Sequence, residues 1–88
     1  MKHNGKEIRI AYLALPDGVR GGAVEDEDYY LVVINQSLAA ITKRHTIGHE
    51  LCHVFRDHHS GDRSIREVEE EANREAWNYY RAYRDHRL

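Results

Sequence analysis

The residues of this chain best suited to chemistry lie between Arg44 and His59, where the sequence reads RHTIGHELCHVFRDHH. Within this stretch His49 and His53 stand four positions apart, with Glu50 between them. On a helix, side chains four residues apart lie one turn above one another, so both imidazoles can bind one zinc ion. Glu50 projects beside them and can take a proton from a zinc-bound water as that water attacks a carbonyl. The pattern predicts a zinc-dependent hydrolase with Glu50 as its catalytic base.

A zinc site of this kind needs a third protein ligand, and the sequence offers two candidates. His59 has the spacing of the third histidine in metzincins, but Arg56 occupies the position where that motif has a glycine that allows a sharp turn. Glu69 fits the gluzincin arrangement, in which a glutamate on a later helix binds the metal. One turn further on, Asn73 is expected to accept a hydrogen bond from the outer ring nitrogen of one of the two zinc-bound histidines. Glu69 is therefore the expected third ligand, and His59 is the alternative.

Other residues of the stretch are less suited to bind the metal. His45 lies one turn before His49 and is predicted to be a packed histidine with a structural role. His58 and His59 are expected in a polar loop, with the rim of the substrate cleft as the alternative, where they would donate to a developing oxyanion. Cys52 is predicted to face away from the metal and to pack as a small apolar residue, so we do not expect it to act as a nucleophile.

Two strands are predicted before the histidine-rich stretch. Residues 7–15 are rich in β-branched and aromatic side chains and end at a turn of sequence Pro-Asp-Gly, which is typical of a strand. The continuous apolar run Tyr29–Asn35 has strand length and is the best candidate for a central strand. The glycine-rich segment between them predicts a hairpin or bulge around a short strand. A peptide could pair with residues 29–35, or with an edge strand beside them, by strand addition.

Two helices are predicted to follow the strands. Apolar residues at helical spacing place the two histidines of the motif on the first helix, which begins after residue 37. Ser64 and Glu67 form the Ser-x-x-Glu pattern of a capping box, so the second helix should run from about residue 65 to the mid-80s. The 3-4 spacing predicts that its buried face consists of Ile65, Val68, Ala72, Ala76, Tyr79 and Tyr83. The helical spacing of Tyr79, Tyr80 and Tyr83 predicts core and surface packing, with donation from one of them to a tetrahedral intermediate as the alternative.

The composition limits the possible architectures and partners. With 88 residues, 41% of them hydrophobic, the chain can form one core, which predicts a single minimal metallopeptidase-like domain over residues 1–88. We expect an α+β fold, in which a small twisted sheet of about three strands packs on the helix with the His-Glu-x-x-His motif and on a second, C-terminal helix. The single cysteine excludes an internal disulfide, so a metal or a partner would stabilise so small a fold.

The charge and hydropathy patterns suggest where the protein acts. The net charge of -2 gives no reason to expect direct binding to nucleic acid. A lone thiol, without an apolar leader or a long apolar run, is typical of a cytoplasmic protein that does not enter a membrane. The oligomeric state is not predicted.

The segment LVVINQSLAAITKRHTIGHELCHVFRDH, followed by EVEEEANREA, resembles the ImmA/IrrE family of metallopeptidases over roughly residues 29–76. The resemblance implies a thermolysin-like zinc core with His49 and His53 as ligands, Glu50 as catalytic base and Glu69 as third ligand. His45 and Glu75 depart from the family pattern, which usually has apolar or aromatic residues there. The chain also continues as NYYRAYRDHRL where the family has a Leu-Leu-Met-Pro segment, so part of the substrate cleft is expected to be shortened.

Members of this family resemble regulators that cleave or inactivate a DNA-binding repressor. We therefore expect a small intracellular zinc metallopeptidase that hydrolyses a peptide bond in a protein substrate, with a transcriptional repressor as the candidate substrate and a protein or peptide as its partner. The alternative is a regulatory binding module that has kept the peptidase fold without its activity, in which zinc only stabilises the structure.

Overall fold

The structure is a computed structural model that describes residues 1–58, 61 and 63–88, and it confirms the α+β class. Four strands precede two helices in the chain: β1 (Lys2–His3), β2 (Lys6–Leu13), β3 (Gly21–Glu25), β4 (Tyr29–Asn35), α1 (Ala40–Phe55) and α2 (Ile65–Arg84). The prediction of about three strands was one strand short. The missed strand, β1, has two residues, too few to show a period-two pattern. It pairs with β2 across Asn4 and Gly5, which both have the positive φ that a tight hairpin requires.

The four strands form one mixed sheet in the order β1-β2-β4-β3. β4 runs parallel to β2 on one side and antiparallel to β3 on the other. The prediction that residues 29–35 form a central strand is therefore confirmed, and the glycine-rich segment forms the hairpin strand β3 at one edge of the sheet. This edge lies beside α1, where Gly21 faces Thr46 so closely that a methyl group at position 21 would contact the threonine side chain.

Alternate residues of β4 build the core between the sheet and the helices. Tyr30, Val32 and Ile34 are 0 to 2% exposed, and α1 packs Leu51 and Val54 against them. Such a period of two is what one buried sheet face requires. The core thus holds α1 against the sheet, with its histidines near the edge strand β3.

The N-terminus of α2 is capped as half of a capping box. The Ser64 hydroxyl accepts a hydrogen bond of 3.1 Å from the backbone N–H of Glu67, as predicted. The Glu67 carboxylate pairs instead with Arg63, at 3.6 Å. Ile65 is 81% exposed, so its predicted burial was wrong. The rest of the predicted face is buried or partly buried: Val68, Ala72, Ala76, Tyr79 and Tyr83.

The two helices approach each other closely at Gly48. A methyl group there would overlap the backbone carbonyl oxygen of Ala76. Glycine at this position therefore permits a helix contact that alanine would prevent, at a cost of up to about 1 kcal/mol in helix propensity. The contact brings the next residue of α1, His49, within reach of Asn73 on α2. Neither helix in the described part of the chain combines the length and apolar character of a membrane span.

Candidate metal centre

Three of the predicted site residues converge between the two helices. The Nε2 atoms of His49 and His53, one turn apart on α1, are 3.1 Å from each other. Glu69 reaches them from α2, with one carboxylate oxygen 2.9 Å from His49 Nε2 and the other 3.0 Å from His53 Nε2. Two imidazole nitrogens and a carboxylate oxygen therefore face a common point, and such a set of atoms can hold a metal ion. We call His49, His53 and Glu69 the metal group.

The donor set of this group fits zinc. Two atoms that bind one tetrahedral zinc ion at about 2.0 to 2.1 Å lie about 3.3 Å apart, close to the separations in the structure. The outer ring nitrogen of His49 donates to an amide oxygen, which leaves Nε2 as the ring nitrogen that faces Glu69. Imidazole nitrogens and a carboxylate oxygen that converge on one point are donors that zinc prefers, so the arrangement suits this ion.

The outer partner of His49 is Asn73. His49 Nδ1 donates a hydrogen bond of 2.8 Å to Asn73 Oδ1. Asn73 lies one turn after Glu69 on α2, so a single helix supplies both the carboxylate of the metal group and the support for one of its imidazoles. The sequence left open which histidine Asn73 would meet, and in the structure it is His49.

The outer partner of His53 is a residue that sequence reasoning placed elsewhere. His53 Nδ1 lies 2.9 Å from His58 Nδ1, and the other ring nitrogen of His58 makes a short hydrogen bond to Glu71. His58 lies in the connection between α1 and α2, as predicted, but its side chain is only 3% exposed, so it is not on an open cleft rim. The hydrogen bonds are consistent if His53 Nδ1 donates to His58 and His58 donates to Glu71. His53 Nε2 then carries the lone pair that could bind a metal ion.

Glu71 anchors this chain of hydrogen bonds. Arg56 and Arg63 donate to its two oxygens at 2.8 and 2.9 Å. The hydrogen bond from His58 and these two guanidinium groups lower the pKa of Glu71 to about 2, so it is ionised at neutral pH. Sequence reasoning missed this residue, although Glu71 follows Val68 by three positions and so lies on the same buried helix face.

A second group, Cys52 with His58 and Glu71, also has metal-ligand atoms close together. Burial raises the pKa of the Cys52 thiol to about 11, so it stays protonated at neutral pH. The Glu71 carboxylate is already paired with two arginines. The chemistry of this group therefore favours a hydrogen-bonded support behind His53, and Cys52 is buried as predicted.

Glu50 lies beside the metal group and is itself 8% exposed. Burial, and after it the negative charge of Glu69, raise the pKa of Glu50 from 4.5 to about 7. A carboxylate with a pKa near the ambient pH can both accept and return a proton. Glu50 and Glu69 border a cavity of about 300 Å³ that extends to Gly21 on the edge strand. There is room above Glu50 for a reacting group.

Two further residues that the sequence analysis considered, His45 and Tyr79, contact other side chains in the structure. His45 packs edge-on against Trp77, with ring centroids 5.4 Å apart, which agrees with its predicted packing role. The hydroxyl of Tyr79 accepts a hydrogen bond of 3.1 Å from Arg56 Nε. His59, the alternative third ligand, lies outside the described residues.

Comparison with known proteins adds one match. The profile of a protein family described as the IrrE N-terminal-like domain, and classed among the peptidases, matches residues 4–80. The match covers most of the chain, including the whole metal group, and confirms the resemblance drawn from the two motifs. A search of curated proteins gave no significant match, and neither did a search of solved structures.

Proposed function

Because the chain belongs to the IrrE N-terminal-like domain family, a peptidase family of the metallopeptidase type, we propose that it is a zinc-dependent endopeptidase acting on a protein or peptide substrate. The observation that carries the proposal is the convergence of His49, His53 and Glu69 on one point beside the buried Glu50. Hydrolysis by a metal-activated water requires a metal ligand set and a general base side by side, and these four residues would provide both.

Each residue has a distinct role in the proposed reaction. His49, His53 and Glu69 hold the metal, and Asn73 orients His49 from behind. A bound zinc ion supplies Lewis acidity, lowering the pKa of a water toward 7 and polarising the scissile carbonyl. The Glu50 carboxylate accepts a proton from the attacking water and delivers it to the nitrogen of the leaving amine. In the metal-free fold, burial and the charge of Glu69 raise the pKa of Glu50 to about 7.

The edge strand β3 is the surface on which we place an extended substrate. β4 is paired on both sides, so it has no free edge for a peptide. The predicted strand addition would therefore use the edge strand β3. The strand begins at Gly21, which borders the cavity above Glu50. A peptide paired along β3 would thus pass close to the metal group.

The substrate class follows from the family resemblance. We propose a DNA-binding transcriptional repressor as the physiological substrate and the cytoplasm as the site of action. The net charge of -2 suits recognition of the repressor protein rather than of its DNA. The single cysteine is fully buried, which is compatible with a reducing compartment.

The test uses Glu50→Gln in the zinc-loaded full chain. We expect this variant to bind zinc like the wild type and to lose about 10²-fold to 10⁴-fold in turnover, because only the general base is removed. Turnover is measured by mass spectrometry on a peptide library, and zinc content by elemental analysis. Glu70→Gln, at a neighbouring exposed carboxylate of α2, is the matched control and should leave both quantities unchanged.

Unchanged cleavage by Glu50→Gln would contradict the mechanism. Zinc binding without any cleavage in the wild type would instead favour the regulatory binding module. In that case chelation should loosen the fold, while Glu50→Gln should leave binding to a partner intact.

A further inference from the structure

Arg20 occupies the boundary between two cavities. It lines the cavity above the metal group, and it also lines a second cavity of about 270 Å³ next to it. The second cavity is bordered by Ile41 and Trp77, with His45 shared between the two. A substrate that fills the first cavity would therefore reach Arg20 before it entered the second.

The backbone around Arg20 is held in place by Asn35 at the end of β4. The carbonyl oxygen of Arg20 accepts a hydrogen bond of 2.8 Å from the Asn35 backbone N–H. The side-chain amide of Asn35, itself buried, donates to the carbonyl of Val19 at 2.8 Å. The segment before β3 is thus fixed to the centre of the sheet, so the backbone from which the Arg20 side chain extends has a defined position.

Within the described part of the chain, no carboxylate lies within ion-pair distance of the Arg20 guanidinium. Arg56 and Arg63, by contrast, are both paired with Glu71. An exposed arginine at the border of a cavity is a suitable partner for a planar anion such as a carboxylate.

The position of Arg20 favours contact with the substrate beyond the reacting carbonyl. The second cavity offers an isoleucine and an indole as walls, which suit the methylene groups of a side chain that ends in a carboxylate.

We propose that Arg20 binds a carboxylate of the substrate in the cavity formed with Ile41 and Trp77. The enzyme would then prefer peptides that carry an acidic side chain, or a free C-terminus, near the scissile bond. This inference rests on the proposed peptidase function and adds a specificity determinant to it.

The test measures binding of hydroxamate-capped peptides, which anchor on zinc, to the zinc-loaded full chain. One pair of probes differs only in a glutamate or glutamine side chain, and a second pair only in a free or amidated C-terminus. Trp77 is the single tryptophan of the chain, so its fluorescence reports on occupancy of the second cavity. The variants are Arg20→Gln, Arg20→Lys and, as a matched control, Arg44→Gln at an exposed arginine of α1 that lines neither cavity.

We expect the wild type and Arg44→Gln to bind the acidic member of at least one pair about tenfold more tightly than the neutral member. The preference should vanish in Arg20→Gln and return in part in Arg20→Lys. The pair that shows the preference identifies its source as a side chain or a C-terminus. Equal affinities within both pairs in the wild type, including no binding of any probe, would overturn the role of Arg20, as would a preference that survives Arg20→Gln. Zinc affinity and peptide cleavage, measured separately on the same samples, decide on the proposed function itself.

Discussion

His53 and His58 are joined by a hydrogen bond of 2.9 Å between their Nδ1 atoms, which puts a second imidazole directly behind the metal-facing ring of the first. His58 is in turn held by Glu71, a carboxylate fixed by two arginines. Partners of this kind set the tautomer and the orientation of a metal-binding histidine. The two imidazoles of the metal group are therefore supported differently, one by an amide and the other by a second histidine and a carboxylate.

The His58 support predicts a graded effect on zinc affinity. His58→Leu removes the acceptor for His53 Nδ1 and should weaken zinc binding by about 10-fold to 100-fold. His58→Gln keeps an acceptor and a donor on one side chain, so it should recover part of the loss. Zinc affinity is measured by competition with a chromogenic chelator.

Unfolding of the metal-free variants in urea separates support of the metal from support of the fold. We expect the difference between His58→Gln and His58→Leu in zinc affinity to exceed any difference in their metal-free stability. If both variants bind zinc as tightly as the wild type, His58 does not position His53.

Much of this architecture could be predicted from local sequence patterns. Tyr29–Asn35 was identified as a strand by its continuous apolar run. A helix from about residue 65 to the mid-80s was identified by its 3-4 spacing, and Ser64 marked the helix start. The positions of His49 and His53 followed from helical geometry alone. Glu69 and Asn73 were found because one helical turn separates a ligand from its supporting residue.

The features that were missed depend on contacts between segments. His58 and Glu71 are brought together by the packing of α1 against α2, which approach each other closely at Gly48. No local sequence pattern predicts that packing. Ile65 was placed on the buried face by spacing, yet as the first residue of α2 it extends beyond the contact with α1 and is exposed. The four-strand sheet was undercounted since β1 has two residues and gains its order by pairing with β2.

Removal of Glu69 should abolish tight zinc binding. Its two oxygens face both imidazoles of the metal group, so Glu69→Ala leaves two of the three residues of this group. We expect zinc affinity to fall by more than about 100-fold, beyond the loss typical of an outer hydrogen-bond partner. Isothermal titration with zinc measures this, and Glu70→Ala is the control because Glu70 is exposed and pairs with Arg66. Retention of wild-type affinity by Glu69→Ala would show that another residue completes the site.

Glu50 should make the metal-free protein less stable as the pH rises. Its pKa is about 7 in the fold and 4.5 as the usual value, so between these pH values the folded state binds more protons than the unfolded state. The stability that protonated Glu50 contributes is therefore fully present below about pH 4.5, and it is lost as the pH rises through 7. The difference between the two pKa values corresponds to about 3 kcal/mol.

The comparison is between wild type and Glu50→Gln, unfolded in urea with a chelator present. At pH 5 the two should be close in free energy of unfolding, and at pH 8 the variant should be more stable by up to about 3 kcal/mol. Zinc at pH 8 should narrow that gap, because a nearby cation favours the carboxylate. A gap that does not change with pH would mean that Glu50 is not desolvated.

Gly48 should be the glycine least tolerant of a methyl group. Gly48→Ala would gain up to about 1 kcal/mol in helix propensity, but the new methyl overlaps the Ala76 carbonyl, which is backbone and cannot rotate away. We expect a net loss of about 2 kcal/mol, as for other overpacked interiors, and a fall in Tm of about 10 °C for a domain of this size. Zinc affinity should fall as well, since any shift that separates α1 from α2 also moves Glu69 away from the two histidines. Gly22→Ala is the matched control, because nothing lies within 4 Å of a methyl group there. Thermal unfolding followed by circular dichroism, with and without zinc, measures both effects, and equal Tm values for the two variants would show that the helices do not approach each other at Gly48.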